Sequence, residues 1–437
     1  MSLKRNVGLV ALSLYGIGDI LGAGIYGLIG KAAAQMGNGI WLAFLASMVV
    51  AMFSGLSYAA VGSRFPRAAG AAYVTQKAFN RSWLTYLVGL SALASGLTSM
   101  ATASRVFAGY FQAFTPNFPT WVLIFLFATA LFLIVLKGIR ESMWVNSIFT
   151  LIEVGGLFII IFLGFKIIGN VNYLDMTSPM NPSGELAPAL ILNGAVLTFY
   201  SFIGFEDILN VSEEVKDPKR TIPRALITAI LVSSIIYILI SLIAVSAVSV
   251  VELSESNQPL VQVVKSLSAS FPDEIFTFIA IFAVSNTALL NFIMGSRLLY
   301  GMSQQGLLPK ILSRVNPKTS TPHAAIGIVY IILLLLAFSG NISSLAKATS
   351  VLLLICFIMV NLALIRIKRQ EKKVAEGVFD VPLLVPVFGA ITSFVMICSA
   401  QAPELKLAVV ILLVIAGLYL IKRPQAIDPE ILGHIED

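Results

Sequence analysis

Charge is what this sequence has least of. Only 12% of its 437 residues are Asp, Glu, Lys or Arg, about half the share found in soluble domains. So few charges cannot cover a water-facing surface, which excludes an ordinary soluble globular protein. Cysteine is scarce as well. Cys356 and Cys398 both fall in apolar runs, which argues against a disulfide framework or a cysteine-ligated metal. The two histidines, His323 in a polar connection and His434 near the C-terminus, are too few for a histidine-ligated metal or haem. Short segments of alternating polarity are missing, so a transmembrane β-barrel is excluded. No grouping of nucleophile, base and orienting residue appears, so an enzyme is not expected. Neither is a cofactor or a resident metal.

Apolar sequence is abundant. The chain is 58% hydrophobic with a mean hydropathy of +0.91. A hydrocarbon core about 30 Å thick needs roughly 20 apolar residues per helix. Runs of that kind recur at about 7–34, 39–62, 82–113, 120–138, 142–168, 188–210, 223–250, 274–304, 323–338, 346–368, 382–400 and 405–421. They predict an all-α polytopic membrane protein with about twelve spans in one transmembrane domain, 1–437. The core is expected over about 7–368, two further helices over about 382–421, and a short polar tail over 422–437. The first run, from Val7 to about Ala34, is longer than the core of a removable signal and lacks a small-residue cleavage pattern.

A net charge of +7 raises the question of nucleic acid. The placement of the basic residues answers it with topology instead. With the N-terminus inside, Lys4, Arg5, Arg64, Arg67, Lys137, Arg140, Lys216, Lys318, Lys372, Lys373, Arg423 and most others fall in cytoplasmic segments. Only Lys31, Arg105, Lys166, Lys265, Lys347 and Lys406 fall at or near the outer face. That asymmetry predicts both termini in the cytoplasm. No nucleic-acid partner is expected, and the lipid bilayer is.

Two spans are interrupted. The first contains "GDILGAGIYG", Gly18 to Gly27, with a break at Gly22-Ala23-Gly24. The sixth contains "FYSFIGFED", Phe199 to Asp207, with Gly204 inside it. Matched interruptions in corresponding spans of two halves point to a transporter with internal repeats and a binding site where the helices unwind. Glycine lets the backbone leave helical geometry without a steric penalty. A helix restarting near Ile25 would offer free N–H groups and a positive dipole end to a carboxylate. Frayed carbonyls of Tyr200, Ser201 and Ile203 would accept hydrogen bonds from an ammonium group. Together these describe a receptor for an α-amino acid. The alternative is that small residues only let helices pack closely. "GIGDILG" also has a superficial likeness to a dinucleotide loop, but its spacing is G-x-G-x-x-x-G and it follows no strand.

Four motifs carry a family resemblance. They are "GAGIYGLIG", "YAAVGSRFPRAAGAAYV" from Tyr58 to Val74, "FYSFIGFEDILNVSEEVKDPKRTIPRAL" from Phe199 to Leu226, and "SRLLYGMSQQGLLPKILSRVNPKTSTPHAAI" from Ser296 to Ile326. In this order and spacing the chain resembles the amino acid–polyamine–organocation superfamily. The resemblance implies a LeuT-like fold, a 5+5 inverted repeat plus two additional helices, with helices 1 and 6 broken. It implies alternating access and transport of an amino acid or related amine across the cell membrane. By position, Gly22, Ala23, Gly24 and Ile25 would hold the carboxylate, and Ile20, Ser201 and Ile203 would face the amine. Tyr200 stands where relatives place an aromatic lid, with Phe205 near the same face. The usual glutamate near Ala60 is absent.

Three acids within spans, Asp19, Glu153 and Glu206, are candidates for ion or proton coupling, since an ionisable residue inside a membrane is costly to keep. Glu153 replaces a lysine common in bacterial relatives, which makes the usual proton route doubtful. Each acid also has a structural reading: Glu206 as a helix cap, Glu153 as a partner for the opening in the first span. A sodium site would draw on carbonyls near Asp19 and Gly22 and on Ser285, Asn286 and Thr287, although such residues often serve only as helix glue. The small residues of Ser91–Ser104 favour close packing over a widened pocket. The expected activity is proton-coupled amino acid transport, with Na+ as the other ion. The alternatives are an amino acid/amine antiporter, a polyamine transporter, and an amino acid sensor on a transporter fold.

Overall fold

A computed structural model describes residues 7–66, 70–112, 114–268, 270–304, 306–316, 319, 321–339, 341–371, 374–422 and 424. Lys4, Arg5, Arg67, Lys318, Lys372, Lys373, Arg423 and nearly all of the tail expected at 422–437 lie outside the described residues, as does the side chain of Arg140.

The chain is helical throughout. In order, its helices are α1 (Leu9–Ile20), α2 (Ala23–Met36), α3 (Ile40–Arg64), α4 (Gly70–Phe79), α5 (Ser82–Phe111), α6 (Thr120–Lys137), α7 (Ile139–Gly164), α8 (Pro188–Thr198), α9 (Pro218–Ala247), α10 (Val250–Glu255), α11 (Pro259–Leu267), α12 (Asp273–Gln304), α13 (His323–Ser339), α14 (Ile342–Gln370), α15 (Leu384–Ser399) and α16 (Ala402–Lys422). Among the described residues, nine stretches are long and apolar enough to cross a membrane. The first of them, Leu9–Arg64, is far longer than one crossing and turns at Gly37-Asn38-Gly39. With the shorter apolar helices α13 and α15, the pattern matches the twelve expected spans.

Helix neighbours reveal the repeat. Let spans one to five be α1/α2, α3, α5, α6 and α7, and let spans six to ten be α8 with the turns after it, α9, α12, α13 and α14. Exchanging the two sets maps the main helix contacts onto one another. α3 packs on α9, and α5 on α12. The α1–α9 contact has its counterpart in α3–α8, α7–α12 in α5–α14, and α7–α9 in α3–α14. Five crossings is an odd number, so the halves run in opposite senses through the membrane. The sequence halves show no convincing identity; the repeat is written in packing.

Three short helices do not cross. α4 lies after the second span and packs on α5 and α14. α10 and α11 pack against α2. Ser249 caps α10 by accepting from Glu252 N at 3.3 Å, the usual role of a serine at a helix start. The small residues of α5 pack as expected. A Cβ on Gly96 would stand 2.6 Å from Met294 Cε, and Ser95 Oγ donates to Thr349 O at 3.2 Å.

At the C-terminal end of α3, the Arg64 side chain is almost wholly buried. It reaches Glu371 at 3.2 Å and Asp380 at 2.8 Å, and also donates to Phe379 O and Ala60 O. Burial alone would raise the Asp380 carboxyl, but hydrogen bonds from Lys368 and Arg64 outweigh it and hold the group below the usual carboxylate range. A carboxyl depressed in the folded state stabilises fully above its unfolded value, and that stabilisation is lost as pH falls through the folded value. The stability gap between wild type and Asp380→Asn should therefore be flat near neutral pH and shrink below about pH 3.9. Thermal unfolding across pH measures it; a gap that persists at low pH would rule out this clamp.

Candidate functional site

The two interruptions meet at the centre of the fold. α1 stops at Ile20, and Gly22 takes φ +141°, a conformation that side chains rarely adopt. α8 stops at Thr198. The chain continues through a short 3-10 turn, Phe199–Phe202, then Gly204 at φ +126°, then 3-10 turns over Phe205–Glu214. The helix expected to restart after Gly204 is therefore wound more tightly than an α-helix. Glu206 contributes, since its Oε2 accepts from Gly204 N at 3.0 Å. That is the capping role weighed for it from sequence.

Close approach explains the remaining glycines. A Cβ on Gly24 would stand 2.5 Å from Ser201 Cα, and one on Gly204 would stand 2.7 Å from the Asp19 carbonyl. The breaks touch each other, Gly24 on Ser201 and Gly204 on Asp19.

Several backbone groups expected to face a ligand already have partners. Ala23 N donates to Thr287 Oγ1 on α12 at 3.1 Å. The Tyr237 hydroxyl on α9 lies 2.7 Å from Ser201 O and also bonds Ile20 O. One hydroxyl thus bridges the frayed carbonyls of both breaks. Ile203 N takes the Tyr200 carbonyl at 3.2 Å. The first-turn N–H groups of Gly24 and Ile25 have no carbonyl one turn earlier within α2, and among the described residues no hydrogen bond engages the Ile203 carbonyl. Tyr237 should hold the two breaks in register. Tyr237→Phe would leave two buried carbonyls short of a donor, at about 1–3 kcal/mol. A lowered melting temperature of the purified protein is the expected result; an unchanged one would show that the bridge is not stabilising.

Tyr200 is pinned beside the breaks. Its hydroxyl sits 3.1 Å from Ser99 Oγ, which Asn291 Nδ2 also approaches at 3.4 Å. Phe205 is directed elsewhere, into an aromatic cluster with Tyr58 and Phe357 at centroid distances of 5.8 and 5.0 Å. Ile25 is fully buried and Ile203 half-buried. A small cavity of about 40 Å³ is lined by Ile203, Glu206, Asp207, Ser95, Asn291 and Cys356, room for about three waters.

The acids fall into two places. Asp19 is buried, with one carboxylate oxygen unpartnered, and the Asp207 carboxyl lies beside it. Glu206 lies close to both. Glu153 sits apart on α7, where Asn286 Nδ2 reaches its Oε2 at 3.3 Å. Asp207 and Tyr237 were not singled out as binding or coupling residues from the sequence, and Asn286 and Thr287 were named there only for a sodium site. Asp207 was visible beside Glu206 inside a quoted motif.

Comparison with known proteins agrees with this geometry. The family profile described as amino acid permease matches residues 7–417. The branched-chain amino acid permease BcaP of Bacillus subtilis (strain 168) is 26% identical over 394 residues, which cover 85% of this chain and 82% of the relative. Cationic amino acid transporter 9, chloroplastic, of Arabidopsis thaliana is 30% identical over 341 residues, 72% of this chain and 58% of the relative. Cationic amino acid transporter 4 of Mus musculus is 28% identical over 390 residues, 85% of this chain and 61% of the relative. The chain thus spans about three fifths of the two cationic transporters.

Proposed function

The chain belongs to the amino acid permease family and is a multi-pass membrane transporter of amino acids, and from that premise we propose that it is a proton-coupled importer working by alternating access at the cell membrane. The whole chain acts as one transmembrane domain with both termini in the cytoplasm.

The observation that carries the binding site is the direct meeting of two broken helices at Gly24 and Ser201. A substrate enters by parting them. Gly24 and Ile25 then offer N–H groups and a helix N-terminus to the α-carboxylate. The Ile203 carbonyl, with Ser201 and Ile20 as Tyr237 yields them, receives the α-ammonium group. Tyr200 covers the ligand from the side of α5.

The coupling proton is carried by Asp19 and Asp207, with Glu206 beside them. Two carboxylates buried side by side repel each other, and one proton held between them removes that repulsion. Parting the breaks also parts Gly204 from Asp19, which exposes the pair to water and releases that proton. Substrate movement and proton movement are thereby one event.

The test is uptake of radiolabelled amino acids into proteoliposomes of purified protein. An inward proton gradient is expected to drive accumulation above the equilibrium level. Equal uptake with and without the gradient would contradict proton coupling, while exchange alone would favour an antiporter.

A further inference from the structure

A second cavity lies away from the breaks, at the far ends of the helices that meet there. α2 ends at Met36, α8 begins at Pro188, and α15 ends at Ser399. Beside these three ends is a cavity of about 400 Å³. Its polar lining includes Gln35, Glu185, Asn193 and Gln401, and Met180 and Leu190 add apolar surface. No lysine, arginine or histidine lines it. The rise of α2 from Gly24 to Gln35 sets it about 17 Å from the first break.

Asn193, on α8, organises the polar side. Its Nδ2 donates to Ser399 O at 3.1 Å, and its Oδ1 accepts from Gln35 Nε2 and from Gln401 Nε2, the latter at 3.4 Å. Both glutamine amides thus turn their nitrogen to Asn193, and among the described residues neither Oε1 has a hydrogen bond. Gln35 is only 5% exposed, so the cavity is the space its oxygen can reach. Glu185 makes no ion pair among the described residues, and Asn181 Nδ2 fixes its backbone by donating to Glu185 O at 3.1 Å. In the first turn of α8, Pro188 has no N–H, and Leu190 N and Ile191 N donate to Ala187 O at 3.0 and 3.3 Å. The unpaired side-chain oxygens are therefore two amide carbonyls and one carboxylate, and the only charge in the lining is negative. A second amino acid would find no cationic side chain for its carboxylate here. An ammonium group has three donors and no acceptor, which these oxygens satisfy. The ends of α2 and α15 beside the cavity are C-terminal and carry partial negative charge, against one positive end from α8.

We propose that this cavity binds an aliphatic diamine, with one ammonium group on Glu185, the other on Gln35 Oε1 and Gln401 Oε1, and the methylenes against Met180 and Leu190. The site is separate from the one at the breaks. Its occupant joins α2 to the connection between α15 and α16 and to the segment that leads into α8. α2 and α8 are halves of the two interrupted spans, so the diamine holds those halves together. Binding stands on the cavity alone; its consequence rests on the alternating-access reading above. Substrate enters by parting the breaks, so bound diamine slows uptake from a distance without competing at the centre. With both termini in the cytoplasm, the cavity lies at the outer face.

Equilibrium binding of 14C-putrescine to the purified full-length protein tests the site, and amino acid uptake into proteoliposomes with putrescine on both faces tests its effect. Wild type should bind one putrescine per chain. Glu185→Gln should weaken that by about tenfold or more, because it removes the charge from the strongest hydrogen bond in the site. Gln401→Leu, which removes one amide oxygen and keeps the charge, should also weaken it, and serves if the first variant fails to fold. n-Butylamine, with a single ammonium group, should displace putrescine only weakly. Gly24→Ala should bind putrescine as wild type does, since the cavity is remote from the breaks. In the uptake assay putrescine should lower Vmax and leave KM unchanged. Absence of saturable binding to wild type overturns the site. So does wild-type affinity in Glu185→Gln, and so does loss of binding in Gly24→Ala, which would place the diamine at the breaks. A raised KM with unchanged Vmax overturns the action from a distance. Normal putrescine binding in a protein that transports no amino acid supports the site and removes the transport reading instead. Glu185→Gln also clears this cavity when amines are compared at the breaks.

Discussion

Gly24→Ala is expected to cut amino acid uptake at least 100-fold while the protein still folds and inserts. The reason is contact distance. The added carbon would stand 2.5 Å from Ser201 Cα and 2.5 Å from Ser201 Oγ, closer than real Cβ contacts come. Backbone is involved, so no rotamer change relieves it. The breaks must move apart, and the methyl then occupies the space the substrate carboxylate needs. A hundredfold loss corresponds to about 2.8 kcal/mol, well within what one misplaced carbon at a binding centre costs. The check is uptake in proteoliposomes beside the melting temperature of the same preparation. Near-normal uptake would place the carboxylate elsewhere. A protein that melts far below wild type would make the Gly24–Ser201 contact a requirement of folding rather than of substrate binding alone.

The second large effect is at Asp19. Asp19→Asn should reduce gradient-driven accumulation at least tenfold while sparing exchange of labelled for unlabelled amino acid. Asparagine has the same shape and can donate to the neighbouring Asp207, so the geometry against Gly204 survives. What it cannot do is take up and release a proton. The split between the two assays therefore separates a coupling role from a structural one. Asp207→Asn should show the same split, because the proton belongs to the pair. Loss of both activities in Asp19→Asn would make Asp19 part of the substrate site. Retention of both would remove it from the mechanism.

Much of this was readable from the chain. The runs of apolar residues set the spans, since the bilayer fixes helix length. Gly22 and Gly204 marked the interruptions because both hold positive φ that other residues rarely adopt. The tight turns after Gly204 were less readable. An α-helix and a run of 3-10 turns ask for similar residues, and the choice depends on Glu206 folding back on Gly204. The hydrogen bonds that hold the breaks were not readable, although Thr287 had been set near Gly22 for a sodium site. Ala23 and Thr287 are 264 positions apart, and Ile20 and Tyr237 are 217 apart. A tyrosine in "SSIIYILIS" looks like any buried aromatic until the fold brings two frayed carbonyls to its hydroxyl. Phe205 shows how packing enters. It adjoins the break in sequence, yet packing against Tyr58 and Phe357 turns it away.

The central claim is that both charged ends of an α-amino acid are held where α1–α2 and α8 unwind. The most direct test compares three ligands of matched side chain by their effect on the melting temperature of the purified protein. They are the amino acid, the amine that lacks its carboxylate, and the acid that lacks its amino group. The account predicts saturable stabilisation by the amino acid and little or none by either analogue. Equal stabilisation by the amine alone would contradict it, because the N–H groups of Gly24 and Ile25 would then contribute nothing to recognition.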